Sequence, residues 1–263
     1  MSPATRALAV LVGIAMPVGL VAVLPSLVPS SSSVDPVTRV GVLEAEAVMT
    51  PQAAPAASPA QAAADRTEST TSRPPAPDAR WVARTARRTG IGARALTAYA
   101  TADLRTARAH PGCHLSWATL AGIGSVESRH GTIGGRVLDA AGHPAITPII
   151  GVQLTGAGPV AQGAASDDGA LDGDSSYDRA VGPMQFLPST WAVWGSDGDG
   201  DGVSDPQDID DAAWSAARYL CAAGGRLDSP TDWTRAILSY NESDIYVSDV
   251  VEATNTYALR ARA

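Results

Sequence analysis

The rhythm of hydrophobic and polar positions changes three times along this chain of 263 residues. Residues 7–29 form an almost wholly apolar run, preceded by one charge, Arg6, and interrupted by Pro17 and Pro25. Residues 30–78 have no period: Ala, Pro, Ser and Thr dominate, with few charges and scattered large apolar groups. From Asp78 onward the pattern turns helical. Apolar spacing, caps and breakers predict helices over Ala79–Thr89, Ala93–Ala109, His114–His130, Pro188–Trp194, Ile209–Ala223, Asp232–Tyr240 and Asp244–Arg260. In the second of these, Leu96, Tyr99, Ala100, Asp103 and Leu104 outline the inward face. Gly131 is the expected stop of the third. Residues 131–177 break the pattern, being rich in Gly, Pro and Asp, with a short β-like piece at Ile149–Leu154. A loop of that length inside a folded domain is usually functional, and a cleft wall is the expected role.

These rhythms imply three parts. Residues 1–29 read as a secretory signal or a retained N-terminal membrane anchor; no Ala-x-Ala site before Ser30–Ser33 decides between them. No Cys lies near the end of the run, which argues against a lipoprotein, and no second run approaches the ~18 apolar residues of a span. Residues 30–78 cannot bury enough surface to offset chain entropy and read as a disordered linker. Residues 79–263 form a mainly α domain with an irregular, partly β insertion.

Charge narrows the partners. The net charge is −8, with Arg as the only strongly basic residue type. A phosphate backbone needs a basic stripe, so nucleic acid is excluded as the expected partner. Arg80, Arg84, Arg87 and Arg88 recur at helical spacing and read as a solvated face. Twelve of the 27 acids fall between Asp167 and Asp211, which points to cation binding. Asp197, Asp199, Asp201, Val203 (through its carbonyl), Asp205 and Asp208 occupy positions 1, 3, 5, 7, 9 and 12 of an EF-hand-like loop, residues 197–208, with Gly202 at the sharp turn. Hard oxygen ligands select Ca2+ as a structural ion. Asp rather than Glu at position 12 and Ser204 at position 8 predict modest affinity, on the order of 0.1–1 mM. In an exported protein the two cysteines, Cys113 and Cys221, are expected to pair, the alternative being two buried thiols.

One acid stands apart. Leu120, Ile123 and Glu127 fall at i, i+3 and i+7, so Glu127 shares the apolar face of its helix. Poor hydration there, and the negative end of the helix dipole, raise its pKa. That suits a proton donor near neutral pH. The structural alternative is a buried Glu paired with a neighbour.

Three stretches carry a family resemblance. Glu127-Ser128 at a helix end resembles the Glu-Ser pair of the lytic murein transglycosylases. Val181-Gly182-Pro183-Met184-Gln185-Phe186-Leu187-Pro188-Ser189-Thr190-Trp191 resembles their G-x-M-Q-F-x-P-S signature. Ser239-Tyr240-Asn241 followed by Tyr246-Val247 resembles their downstream element. Order and spacing are most similar to the membrane-bound lytic transglycosylase B type, whose members also carry a calcium-binding loop. The resemblance implies a lysozyme-like fold of the goose-type lysozyme and transglycosylase kind. It implies cleavage of the β-1,4 bond between N-acetylmuramic acid and N-acetylglucosamine, leaving 1,6-anhydro ends. Glu127 then acts first as acid and afterwards as base, so no second carboxylate is needed. Ser128, Met184, Gln185, Phe186, Tyr240, Asn241 and Tyr246 become substrate-site residues, although for Phe186 and Trp191 core packing is the stronger expectation. The implied partner is the glycan strand of peptidoglycan, met outside the cell by a monomer, anchored through residues 7–29 if that run is retained. Two alternatives stand: a hydrolase that activates water with a second acid, Asp178 being the candidate, and a non-catalytic wall-binding scaffold.

Overall fold

A computed structural model describes residues 74–155 and 165–263. The apolar run 7–29 and the linker up to residue 73 lie outside the described residues. The helical expectation holds. The chain forms α1 (Ala79–Thr89), α2 (Ala93–Ala109), α3 (Trp117–Ser128), α4 (Pro188–Trp194), α5 (Ile209–Gly224), α6 (Pro230–Tyr240) and α7 (Asp244–Arg262). Local chemistry sets their ends. Asp78 accepts from Trp81 N at 2.7 Å to open α1, and Gly90 closes it with φ 81°. Ser116, Ser229 and Ser243 cap α3, α6 and α7 in the same way as Asp78 caps α1. The basic residues Arg80, Arg84, Arg87 and Arg88 are all exposed, as a solvated face should be.

Two boundaries of α3 differ from the sequence reading. His114 has φ 56°, a left-handed conformation that cannot open a helix, so α3 starts three residues later, behind Ser116. Its far end is Ser128 rather than His130, because Arg129 already turns left-handed (φ 54°, ψ 47°). On α2, Leu104 is exposed, while Ala102 and Thr106 complete the buried face instead. Asp103 turns towards the next helix and accepts from Trp117 N at 2.9 Å.

The core is built around α3 and α5. Leu120 and Ile123 of α3 are wholly buried, and α3 packs chiefly on α7. Gly122 permits that approach: a Cβ there would lie 2.2 Å from Thr254 Oγ1 and 3.0 Å from the Val250 carbonyl. Helix α5 is buried from Ile209 to Leu220 and packs against α2 and α6. A helix buried on nearly every side lies in the middle of the domain, and α5 carries Asp210, Asp211, Ser215 and Arg218 there as well as its apolar residues. Cys113 and Cys221 form a disulfide with Cα atoms 5.4 Å apart, fastening the α2–α3 connection to the end of α5.

The β expectation shrinks. Among the described residues the insertion holds isolated bridges rather than strands, such as Leu138 with Pro144 and Ile150 with Val181, and Val181 also bridges Phe186. Residues 149–154 do run beside 178–182, through Gly151 N to Ala180 O (2.8 Å), Gly182 N to Ile149 O (2.9 Å) and Leu154 N to Asp178 O (3.2 Å). The pairing ends there because the second segment folds back on itself at once. Among the described residues no helix is long and apolar enough to cross a membrane.

Candidate active site

Glu127 lies in the last turn of α3, half-buried, where the helix end faces the start of α7 and the turn at 181–186. Tyr246, in the first turn of α7, donates from its hydroxyl to Glu127 Oε1 at 2.5 Å. Burial pushes the Glu127 carboxyl up to about 7, and the Tyr246 hydrogen bond, which favours the carboxylate, holds it from rising further. The Tyr246 and Tyr240 hydroxyls are themselves driven well above the ordinary phenol value, first by burial and then by the charge of Glu127. They therefore stay protonated and can only be lost as donors by substitution.

The motif turn is fastened beside this acid. Val181 and Phe186 exchange backbone bonds, Val181 N to Phe186 O at 2.8 Å and Phe186 N to Val181 O at 2.9 Å. Gly182 has φ 77°, and a Cβ there would stand 1.7 Å from the Pro206 carbonyl, so only glycine lets this turn lie against the loop before α5. Ser128 donates to the Pro183 carbonyl at 2.5 Å and accepts from Gly131 N at 2.7 Å. Tyr240, the last residue of α6, donates to the Met184 carbonyl at 2.8 Å. Ser128 thus ties the helix end to the turn, and Tyr240 ties α6 to it. An edge-to-face series, Trp191–Phe186–Tyr240–Tyr219, stiffens the wall, with ring centroids 5.2, 5.9 and 5.6 Å apart.

Several expected sugar contacts are placed elsewhere. Met184 is wholly buried, near Gly124 of α3, and Phe186 is nearly so; both belong to the core. Ser128 is also fully buried and engaged with backbone. The Asn241 carboxamide oxygen accepts from Ser243 N at 3.1 Å, which assigns it to the turn into α7. Gln185 is half-buried with φ 50°, and its amide donates to the Gly182 carbonyl at 2.9 Å. The core place of Phe186 is the one expected of its aromatic ring, and a motif in a tight turn gives no period from which the inward and outward positions of the others can be told. Tyr246 was expected to meet substrate; its partner is the acid itself. Asp178 is buried, and its two oxygens accept from Ser166 N (2.7 Å) and Ser166 Oγ (2.8 Å), so it clasps the insertion.

The acidic loop brings two groups of carboxylates together. Ligand atoms of Asp197, Asp199 and Asp211 come together, as do those of Asp199, Asp208 and Asp210. Asp201 and Asp205 stand outside both groups. Asp210 and Asp211, in the first turn of α5, take their places. Asp211 is drawn in because its oxygens accept from Gly198 N (2.5 Å) and Asp205 N (2.8 Å). Their run of three acids, Asp208-Ile209-Asp210-Asp211, was the available signal. Burial pushes Asp211 up to about 8 and Asp208 to about 6, Asp211 being raised further by its acidic neighbours. Such a group of oxygens suits a hard divalent cation. Arg94 pairs with Asp210, and His143 Nε2 lies 3.3 Å from Asp205 Oδ2.

Residues 164–234 match the family described as Transglycosylase SLT domain. That stretch holds Asp178, the motif turn, the acidic loop and α5, and leaves Glu127 and Tyr246 outside it. No curated protein matches the chain. Among solved structures, the Escherichia coli lytic transglycosylase Slt35 in complex with bulgecin A is similar, at 15% identity and a TM-score of 0.42, over 72% of this chain and 81% of that one.

Proposed function

We propose that this protein is a lysozyme-like peptidoglycan lytic transglycosylase of the B type, with Glu127 as its one acid. The observation that carries the reading is a carboxyl group raised to about 7 at a helix end, bonded by Tyr246 and standing beside the motif turn. The family match over residues 164–234 supports it from the other side of the site.

The chemistry follows from that single acid. Protonated Glu127 gives its proton to the glycosidic oxygen between N-acetylmuramic acid and N-acetylglucosamine as the C1–O bond breaks. The resulting carboxylate takes the proton of the muramic C6 hydroxyl, whose oxygen attacks C1 and closes the 1,6-anhydro ring. The nucleophile belongs to the substrate, so the gain is one of proximity and no second carboxylate must activate water. The engagement of both Asp178 oxygens by Ser166 accords with a one-acid site. Tyr246 steadies the carboxylate between the two proton transfers. Gln185 and Tyr240 border the glycan subsites. The protein is exported, acts as a monomer on glycan strands of the envelope, and residues 7–29 either lead it out or hold it at the membrane. A Ca2+ ion held by Asp197, Asp199 and Asp211, with Asp208 close to Asp199, braces the segment between α4 and α5.

Two experiments test this reading. Release of soluble fragments from dye-labelled peptidoglycan should fall by at least about a thousandfold in Glu127→Gln and stay within severalfold of wild type in Asp178→Asn; equal activity in wild type and Glu127→Gln contradicts the assignment. For the ion, a hundredfold excess of Ca2+ over its Kd should stabilise the fold by about 3 kcal/mol, and Asp199→Asn should abolish the gain. A Tm that saturating Ca2+ leaves unmoved removes the ion from the account.

A further inference from the structure

We propose that His130 is a positioning residue for Glu127, holding the end of α3 that carries the acid. The proposal rests on the reading of Glu127 as the reacting group. After Ser128 the chain makes three left-handed steps in a row, Arg129 (φ 54°), His130 (φ 61°) and Gly131 (φ 81°). Left-handed backbone favours Gly and Asn over other residues. Histidine tolerates this conformation better than most side chains, as Asn and Asp do, so the backbone alone does not single it out.

Its side chain explains the choice. The imidazole is buried between α2 and α7. Nδ1 lies 3.2 Å from Tyr99 Oη, and Nε2 lies 2.9 Å from Tyr257 Oη. Tyr257 Oη in turn lies 3.0 Å from Ser125 Oγ, back on α3. A neutral imidazole has one donor and one acceptor, so one tyrosine donates to it and the other accepts from it. Burial pushes His130 down to about 4, which keeps it neutral over the range in which Glu127 titrates. The backbone completes the clamp: His130 N donates to Gly124 O at 2.7 Å, and Arg129 N donates to Ser125 O at 3.1 Å. Glu127 sits between Gly124–Ser125, which this clamp grips, and Ser128, which is bonded to the Pro183 carbonyl. Tyr99 passes so close to Gly124 that a Cβ there would meet its hydroxyl at 2.1 Å, so α2 also fixes the depth of the helix end. Reacting groups displaced by an ångström can lose about a hundredfold in rate, and His130 is placed to prevent such a displacement.

The test uses the full chain, with His130→Gly and Tyr257→Phe beside wild type. Glycine relieves the left-handed backbone while removing the bridge, and Phe removes one bond while keeping the ring, so at least one variant remains folded. On soluble glycan strands, well below Tm, kcat should fall between about tenfold and a hundredfold with KM unchanged. Carbon-13 titration of the Glu127 carboxyl should show its midpoint falling from about 7 as the loosened helix end admits water. A kcat within twofold of wild type in both variants, or a midpoint that moves in neither, overturns the proposal. An inactive wild type contradicts the functional reading instead, and the titration then decides the positioning role alone.

Discussion

A carboxyl group owes its proton affinity to its surroundings, and Glu127 has surroundings that favour the neutral form. The consequence for stability has a definite sign. The folded carboxyl holds its proton up to about 7, whereas an unfolded Glu loses it near 4.5. Between those values the native state binds more protons than the unfolded chain, so stability falls as pH rises from about 4.5 through about 7. The loss is about 3 kcal/mol at most. Thermal unfolding should thus find Glu127→Gln more stable than wild type at pH 8 and equal to it at pH 4; equal stability at both pH values contradicts the buried acid. Tyr246→Phe works in the other direction from the site's own tuning. Without the hydroxyl the carboxylate loses a charge-assisted bond, and the Glu127 midpoint should climb to about 8 or above, moving the alkaline limb of the activity profile with it. A profile that stays in place denies Tyr246 its role. Glu127 was legible in the sequence because Leu120 and Ile123 fix its helix face. Its contact with Tyr246 spans 119 positions and leaves no local trace.

At the scale of elements, α3 and α7 form the frame on which the acid is mounted. Their approach depends on one missing methyl group. Gly122→Ala should destabilise the fold by about 1–3 kcal/mol, because the Val250 carbonyl cannot swing away as a side chain can. Chemical denaturation measures this directly, and an unchanged midpoint contradicts the tight crossing. Most helix boundaries were readable from their punctuation, with Asp78 before α1, Gly90 after it, and Pro188 at the start of α4. The end of α3 was not, since Arg129 and His130 adopt a conformation that residue type disfavours and tertiary contacts impose. The same limit applies to the acidic loop. A twelve-residue pattern contains Asp197, Asp199 and Asp208, whereas the approach of Asp211 to them depends on how α5 enters the core.

The whole molecule is held by a helical core and one covalent tie. The disulfide closes Cys113 to Cys221 across 108 positions, enclosing α3, the insertion, the motif turn and the acidic loop. On the chain-entropy account its reduction should lower stability by about 2–5 kcal/mol, seen as a reduced Tm in the presence of a thiol reductant. A Tm indifferent to reduction would leave the core to hold the fold alone. Fold class was legible because seven amphipathic or apolar periods outnumber one irregular stretch. The insertion was legible only as an interruption, since neither its bridges nor its clasp through Asp178 leave a period. The central claim concerns the bond-breaking step, and mass spectrometry of the soluble products from purified peptidoglycan tests it most directly. The account predicts 1,6-anhydro-muramic ends from the wild-type chain and none from Glu127→Gln; products with free reducing ends would contradict it.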